Sequence, residues 1–404
     1  MTASARHGPR SDQPCYVSIA YTHEPTDPRV RRHCESMARH GWRVFQLGIA
    51  ADGERSVGRL SGVQLVRWRR GRYRGRSLYR YALAYLGFLL WAHRLVRRLA
   101  RTRRVRVVHV NNLPNFAVLA AGPGRRRGAG VILDIHDPVP ELFLSKFGSR
   151  PGAKLGSRLL RLEERVAARR ADLVLCVHGL HREVTASHGV GPEKLRVVVN
   201  APDGQLFPLL SPRAAGSLVV YHGTVAARMG LDVVLEGLAL ARRRGRQIRL
   251  AIWGDGDAVE SLRRARDRLG LADAVEVDGR RFRLEDLIPR LRRAGVGFVP
   301  VARDVFTDLM LPTKLLEYVR LGIPVIVAWT PTIAHHFPED TVRFVREFSA
   351  AGVAEALEWM LADPERARQQ AARAQRLPIA RAWQESEAEF ISMVQEVGRV
   401  ENSP

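Results

Sequence analysis

Short apolar stretches alternate with longer helix-patterned segments along almost the whole chain, and this alternation restricts the fold more than any single motif. Such stretches are typical of strands buried on both faces, and helices between them indicate parallel α/β units. In the first half we predict strands at residues 15–21, 43–48, 63–68, 105–110, 130–135, 172–177 and 195–199. In the second half we predict strands at residues 218–222, 248–253, 274–278, 295–300, 323–328 and 341–344.

Helical patterns occupy most of the intervals between these strands. The clearest are at residues 28–40, 78–100, 158–170, 178–188, 230–245, 257–269, 284–293, 313–321, 352–362 and 380–397. The predicted fold class is therefore α/β, with two Rossmann-like, doubly wound parallel-sheet domains. Ligands of such domains bind at the carboxyl ends of the strands, so we expect a cleft between the two domains to hold the active site.

The domain boundary is predicted from length and loop composition. At 404 residues the chain exceeds one typical core. Residues 200–213 are rich in proline, glycine and polar side chains, which is typical of a linker. We predict an N-terminal domain at 1–205, a C-terminal domain at 206–375, and a final segment, 376–404, whose helix crosses back to the first domain.

The charge of the chain narrows the choice of partners. The net charge is +24 and comes mainly from arginine, which favours nucleic acid, anionic lipid or phosphorylated substrates. Three cysteines with no metal-like spacing make a disulfide framework unexpected and fit a reducing compartment. The first residues contain no apolar signal-peptide region, so we expect a cytoplasmic protein.

One apolar helix has arginine-rich margins. Residues 81–92 are almost entirely apolar, and arginines crowd residues 67–80 before them and 94–104 after them. The pattern fits an in-plane anchor on an anionic membrane surface, and it also fits a core helix whose arginines face water. We predict peripheral association with the inner face of the plasma membrane.

The segment at residues 311–326 combines a helix start with a buried strand. Pro312 and Thr313 are expected to open a helix, with Thr313 supplying a capping oxygen. Free amide groups at a helix start bind phosphates. Glu317 follows one turn later on the same face as Lys314. The segment therefore fits a nucleoside diphosphate, and it also fits an ordinary capped helix before a strand.

Four further clusters follow strands. In the first half, residues 22–30 form a polar loop that either binds an anion or only links the first strand to the following helix. Residues 133–143 place His136 among carboxylates, where it could act in proton transfer. In the second half, residues 221–230 offer a close-approach glycine and the Arg228 fork. Asp255 and Asp257 fit a weak metal site, but a turn with Asp257 as helix cap is favoured.

Taken in order, these motifs resemble the family 4 retaining glycosyltransferases, which have two Rossmann-like domains facing across a cleft, the GT-B fold. The resemblance covers residues 14–375. It rests on the segments 27–30, 108–114, 134–137 with 140–141, 171–174, 198–200 with Asp203, 222–224, 254–256 and 312–324.

The resemblance implies that the second domain binds a nucleotide-sugar donor. Glu317 would hold the ribose hydroxyls, Lys314 and the helix start the diphosphate, and His136 would contact the sugar near its reacting carbon; His136 and Glu317 are the candidate catalytic residues. The candidate donor-binding residues are Gly223, Thr224, Arg228, Gly254, Asp255, Arg281, Phe282, Pro312, Thr313, Lys314 and Glu317. The candidate acceptor or cleft residues are Asp27, Arg29, Asn111, Asp137, Glu141 and Asn200.

Three departures from the family pattern matter. The first of two glutamates that relatives often carry is replaced by Leu309, beside Asp308. Thr224 and Met229 stand where basic residues are common, which leaves Arg228 as the nearby cation. Ala201 replaces a usual glycine.

The sequence thus predicts a glycosyltransferase that moves a sugar from a nucleotide-diphosphate donor to a cell-envelope or polysaccharide acceptor with retention of configuration. A polyprenyl-linked glycan is one form that this acceptor could take. No cofactor or metal is expected. One alternative is a soluble transferase acting on a small molecule. A remote alternative is a non-catalytic binder of nucleic acid or another anionic polymer, although no nucleic-acid motif is present and nucleic acid is not an expected partner. The base, sugar, acceptor, linkage and oligomeric state are left open.

Overall fold

The computed structural model describes residues 13–23, 27–51, 53–69, 78–280, 282 and 284–399. The chain divides into two compact units. The first consists of Met1–Val199 and Ser386–Pro404, and the second consists of Asn200–Glu385.

The first unit is built on an eight-stranded sheet. Its strands are β1 (Cys15–Ala20), β2 (Arg43–Ile49), β3 (Val57–Leu60), β4 (Val63–Trp68), β5 (Val105–Asn111), β6 (Gly130–Ile135), β7 (Leu173–Cys176) and β8 (Leu195–Val197). They lie in the order β3-β4-β2-β1-β5-β6-β7-β8. Only the edge pair β3 and β4 is antiparallel among these strands. β1 and β6 are buried along their whole length, as strands covered on both faces should be.

Helices cover this sheet. They are α1 (Pro28–Arg39), α2 (Leu78–Thr102), α3 (Gly122–Arg125), α4 (Val139–Phe147), α5 (Ala153–Arg169) and α6 (Gly179–Ser187). The apolar helix predicted around residues 81–92 is α2, and Phe88, Ala92 and Val96 on its inner face belong to the core. Part of its apolar character is therefore explained by packing on the sheet.

The second unit has a six-stranded, fully parallel sheet in the order β11-β10-β9-β12-β13-β14. The strands are β9 (Leu218–His222), β10 (Arg249–Trp253), β11 (Val275–Val277), β12 (Val296–Val299), β13 (Val325–Ala328) and β14 (Arg343–Val345). The helices are α7 (Leu231–Arg243), α8 (Val259–Arg268), α9 (Leu284–Leu291), α10 (Thr313–Arg320), α11 (Pro331–His336), α12 (Ala350–Ala362) and α13 (Pro364–Gln375).

The last helix, α14 (Trp383–Arg399), begins in the second unit and continues in the first. Its Phe390 ring is fully buried and stacks on His33 of α1, with 4.2 Å between ring centroids. The C-terminal segment therefore completes the core of the first unit.

The predicted fold class is confirmed, and every predicted strand is present within a few residues. β3 was missed because it is a short edge strand with alternate exposed side chains and no apolar run. The short helices α3, α4 and α11 and the longer helix α13 were also missed. Within the described residues, no helix has the length and apolar character needed to cross a bilayer.

Candidate functional site

The carboxyl end of β9 meets the start of α10 in the second unit. The Lys314 Nζ lies 3.8 Å from the centroid of the Tyr221 ring, which β9 presents. Gly223 follows β9 with φ near 109°, and a Cβ built on it would lie 3.3 Å from the Lys314 Nζ. A side chain at this position would strain the backbone and crowd the ammonium group. The arrangement therefore leaves an open backbone surface beside one cation and a helix N-terminus. Gly223, Lys314 and the start of α10 are together called the seat below.

Glu317 lies one turn farther along α10, next to a histidine that the sequence analysis did not include among the site residues. The Oε2 of Glu317 is 3.1 Å from the Nε2 of His222, close enough for an ion pair but not aligned as a hydrogen bond. The His222 ring packs edge-on against Tyr318, with 5.1 Å between centroids. Its position at the last residue of β9 was the available signal, since that residue reaches the strand end. His222 thus fixes one side of Glu317, while the carboxylate can still accept hydrogen bonds from hydroxyl groups.

Lys314 is electrostatically unusual. The pKa of Lys314 is lowered to about 7, mainly by burial; the Glu317 carboxylate opposes this shift, and the nearby charge of Arg228 adds to it. A lysine held partly uncharged near neutral pH gains its proton when an anion arrives. The empty site therefore avoids most of the free-energy cost of a buried charge, and the lysine becomes fully charged when a diphosphate binds.

The helix start differs from the prediction in its cap. Pro312 is the N-cap residue of α10, Thr313 is the first helical residue, and no side chain caps the helix. The expected capping oxygen of Thr313 was therefore wrong, because the helix begins one residue earlier than that role requires. The absence of a side-chain cap on α10 favours ligand binding, because the first amide groups of a helix have no intrahelical partner.

Two neighbouring loops of this unit are packed backbone against backbone. A Cβ on Gly254 would lie 1.7 Å from the carbonyl oxygen of Gly223, and one on Gly256 would lie 1.9 Å from that of Val225. The amide of Val225 donates to the carbonyl of Asp255 at 2.9 Å. These glycines are thus required by packing, which the sequence analysis did not recognise.

The expected helix cap at Asp257 was wrong, because the N-cap residue of α8 is Ala258 and Asp257 is exposed. Asp255 lies half-buried in the preceding loop.

The remaining donor-site candidates lie around this seat. Arg228 and Thr224 are exposed, and Arg228 sits on a short 3-10 turn, Ala227–Met229. Phe282 is half-buried, with the Arg290 guanidinium 4.6 Å from its ring centroid. Arg281 lies outside the described residues.

In the first unit, a buried ion pair lies at the end of β6. Arg29 donates from Nε and Nη2 to the two oxygens of Asp134, at 2.7 and 2.9 Å, and from Nη1 to the Val198 carbonyl at 2.9 Å. Burial alone would raise the pKa of Asp134, but the Arg29 charge and hydrogen bonds hold it well below its usual range. Arg29, a candidate cleft residue, is fully engaged in this pair, so the structure gives it a role in holding α1 to the sheet.

His136 follows the same strand and is held by Asn112. The Oδ1 of Asn112 accepts from the amides of His136 and Asp137, at 3.1 and 3.4 Å, and its Nδ2 donates to the Asp137 carbonyl at 2.7 Å. The Nδ1 of His136 is buried and has no hydrogen-bond partner in the described part of the chain. His136 therefore has an unused polar atom on a fixed loop.

Asn112, which the sequence analysis left out of the site, is the residue that positions the loop. Its neighbour Asn111, which was included, instead donates from Nδ2 to Ser18 and Ile19 inside the sheet.

The other cleft candidates have structural partners. Asp27 caps α1 by accepting from the Val30 amide at 3.2 Å. Glu141 is buried and lies 3.3 Å from the Nε2 of His188, whose Nδ1 is 2.7 Å from Glu164. Burial opposes the charge of His188, but these two carboxylates outweigh it and raise its pKa to about 9. Asn200 is half-buried at the first residue of the second unit.

One group of possible metal ligands occurs among the described residues. The ligand atoms of His33, His109 and Asp134 lie within 4.8 Å of one another, and all three residues are buried. Because both oxygens of Asp134 already accept from Arg29, a second cation there would meet the guanidinium charge. This cluster is a polar core that also contacts Tyr16, and it does not fit a metal.

Comparison with known proteins covers both units. Residues 26–201 match the family described as glycosyl transferase 4-like domain, and residues 216–363 match the glycosyl transferases group 1 family. The chain is 27% identical over 319 residues to an alpha-D-kanosaminyltransferase of Streptomyces kanamyceticus, covering 73% of this chain and 78% of that protein.

Three solved structures of the same fold illustrate the similarity. A sucrose-phosphate synthase from Thermosynechococcus elongatus has a TM-score of 0.70 at 18% identity, covering 95% of this chain and 99% of that one. HepE of Anabaena, in complex with UDP and glucose, has a TM-score of 0.68 at 14% identity, with 95% and 99% coverage. A trehalose-phosphate synthase from Burkholderia xenovorans, in complex with glucose-6-phosphate, has a TM-score of 0.70 at 14% identity, with 95% and 100% coverage.

Proposed function

This chain belongs to the family 4-like glycosyltransferases with the GT-B fold, which transfer sugar from a nucleotide-sugar donor, and from this premise we propose its finer function. We propose that it retains the anomeric configuration of the sugar and acts on a cell-envelope or polysaccharide acceptor. The observation that carries the donor assignment is the grouping of Lys314, Glu317 and Gly223 at one strand end. The acceptor assignment rests on the strongly basic charge, which suits an anionic carrier such as a polyprenyl diphosphate.

Each group has a separate role in the proposed reaction. Glu317 accepts hydrogen bonds from the ribose hydroxyls, and the open backbone at Gly223 lets the diphosphate approach. Lys314 and the first amides of α10 stabilise the charge that develops on the diphosphate as its bond to the sugar carbon breaks. This cationic seat supplies the stabilisation without a metal in the proposed mechanism.

Retention follows in this proposal from attack on the face that the diphosphate leaves. The acceptor oxygen forms its bond to the oxocarbenium-like carbon on that face, and a phosphate oxygen takes the acceptor proton. Identifying the anomer of the product by NMR tests this step, and an inverted product would overturn it.

The donor proposal is tested by thermal stabilisation of the purified protein with UDP, GDP, ADP and dTDP. Binding to the native state alone raises the melting temperature, and the shift grows with the logarithm of the ligand concentration divided by the dissociation constant. We expect one nucleoside diphosphate to give a clear shift and thereby identify the base. No shift with any of the four would contradict the assignment of the seat to these donors.

Nucleotide affinity should depend on pH through Lys314. Below about pH 7 the lysine is already charged in the free protein, whereas above that value binding must take up a proton. We therefore expect the affinity for the diphosphate to fall by up to about tenfold per pH unit as the pH rises above neutrality. Isothermal titration in buffers of different ionisation enthalpy measures both the affinity and the proton uptake.

A Lys314→Met variant, which keeps the length of the side chain without its charge, is the control for this dependence. Its binding should be weaker and nearly independent of pH in the same range. Identical pH profiles for the variant and the wild type would exclude Lys314 as the source.

Loss of His136 should affect turnover more than nucleotide binding. If its free ring nitrogen contacts the donor sugar, His136→Ala removes an interaction that strengthens in the transition state and lowers kcat by about a hundredfold. The nucleotide dissociation constant should change by less than about threefold. His40→Ala, which alters an exposed histidine of the same unit, is the matched control, and equal activity of both variants would refute the assignment.

A small-molecule acceptor is the second candidate. It is favoured by the solved structure of the same fold that holds glucose-6-phosphate. Incubation with labelled donor and either a lipid extract or a soluble sugar pool separates the two. Label in the organic phase supports a lipid-linked acceptor, and label only in the aqueous pool supports the alternative.

A further inference from the structure

Two helices of the first unit carry apolar side chains on their outward faces. On each helix these residues are spaced alternately four and three positions apart, so they lie on one side of the helix. The set consists of Tyr79, Leu83, Leu86 and Leu90 on α2, and of Leu155, Leu159, Leu162 and Val166 on α5. Their exposed fractions range from 37% for Val166 to 71% for Tyr79.

A short 3-10 segment, Asn115–Ala121, packs against both helices. Leu119 of this segment is 43% exposed, and its carbonyl oxygen lies 3.4 Å from the Nδ1 of His93 on α2. On the other side, Asn115 donates from Nδ2 to Glu163 on α5 at 3.1 Å. The exposed apolar side chains of α2 and α5 named above, together with Leu119, are called the two-helix face below.

The core of the unit does not account for these side chains. The inner side of α2 is supplied by Phe88, Ala92 and Val96, and that of α5 by small residues such as Ala167 and Ala168. Each helix is therefore packed through one side and apolar on the other. Apolar patches of this extent on a soluble protein mark a surface that another partner covers.

The charges around the two-helix face identify the class of partner. On α2 the outward side continues with exposed Arg94, Arg97 and Arg101, and the helix contains no acidic residue. On α5 exposed Arg158 and Arg169 flank the leucines. The two acidic residues of α5 are engaged inside the unit, Glu163 with Asn115 and Glu164 with His188.

A second copy of the chain would bring arginines against arginines. An anionic lipid surface satisfies both parts of the pattern, because it accepts leucines at the acyl boundary and arginines at the phosphate groups.

We propose that the two-helix face docks the protein on an anionic phospholipid surface, with the leucines of α5 contributing as much as those of α2. The sequence pointed only to α2, because the leucines of α5 are interspersed with charged residues and form no apolar run. This surface lies in the first unit and does not depend on the donor chemistry proposed for the second.

Flotation of the full-length protein with phospholipid vesicles tests the proposal. We expect binding to vesicles of phosphatidylglycerol and phosphatidylethanolamine, and much weaker binding to phosphatidylcholine alone. The combined variant Leu155→Gln, Leu159→Gln and Leu162→Gln should bind at least about tenfold more weakly. The control is Leu209→Gln with Val305→Gln, which changes residues of the second unit that are 58% and 52% exposed, and it should bind like the wild type.

Three results would overturn the proposal. They are failure of the wild type to float with anionic vesicles, unchanged flotation of the α5 variant, and a dimer in light scattering that the α5 variant converts to monomer. The last would show that a second copy covers the face. Thermal stabilisation by the nucleoside diphosphate is measured for every variant, so that a failed docking surface is distinguished from a failed donor site or a misfolded protein.

Discussion

A Glu317→Ala variant is expected to lose most of its affinity for the nucleoside diphosphate. In the proposed donor site this carboxylate accepts hydrogen bonds from two neighbouring ribose hydroxyls, and each charge-assisted bond contributes about 1.5–3 kcal/mol. Losing both should weaken binding by roughly a hundredfold or more. The thermal shift produced by the preferred nucleotide would then almost disappear, and calorimetry would give the loss as a dissociation constant.

Two further variants sharpen this result. Glu317→Gln keeps one acceptor oxygen and should bind with intermediate affinity. Glu339→Ala removes a carboxylate of the same unit that is 62% exposed and paired with Arg346, and it should bind normally. If Glu317→Ala is folded and binds the nucleotide as tightly as the wild type, the ribose site lies elsewhere.

The second large effect is expected on stability. Asp134→Ala leaves the Arg29 guanidinium buried without its counter-charge, and breaking a buried pair in this way costs about 3–5 kcal/mol. The free energy of unfolding of the first unit should fall by that amount in chemical denaturation. Glu35→Ala, which removes a half-buried partner of Arg31 on the same helix, should change it by less than about 1 kcal/mol.

The same pair predicts a pH dependence of stability. The pKa of Asp134 is held well below its unfolded value, so its contribution is present above that value and is lost as the pH falls through the folded one. The wild type should therefore lose more stability in acid than the double variant Arg29→Met, Asp134→Leu, which has no ion pair at this position. Equal acid sensitivity of the two proteins would exclude this pair as the source.

The parts of the structure that could be predicted from sequence depend on local pattern. Apolar runs alone make β1 and β6 recognisable. Pro312 alone marks the start of α10. The proximity of Gly223 and Lys314 was also predictable in outline, since parallel strands bring their carboxyl ends to one edge. Lys314 and Glu317 needed only helical spacing to be placed on one face.

Contacts between distant residues were not predictable in this way. Arg29 and Asp134 are separated by 105 positions, and neither carries a local signal for the other. Asn112 and Asn111 are adjacent and chemically identical, so the pleat of β5 decides which one faces the His136 loop. Likewise, the glycines at 254 and 256 looked like turn residues, because their close contacts are with the backbone of another loop.

That loop-to-loop contact has a consequence for how this enzyme can be altered. Main-chain atoms of residues 223–225 and 254–256 hold the two loops against each other, and the Thr224 side chain is exposed. A library that randomises Thr224 alone should therefore return mostly folded proteins. Variants with altered nucleotide binding can then be selected at that position while the contact between the two loops is kept.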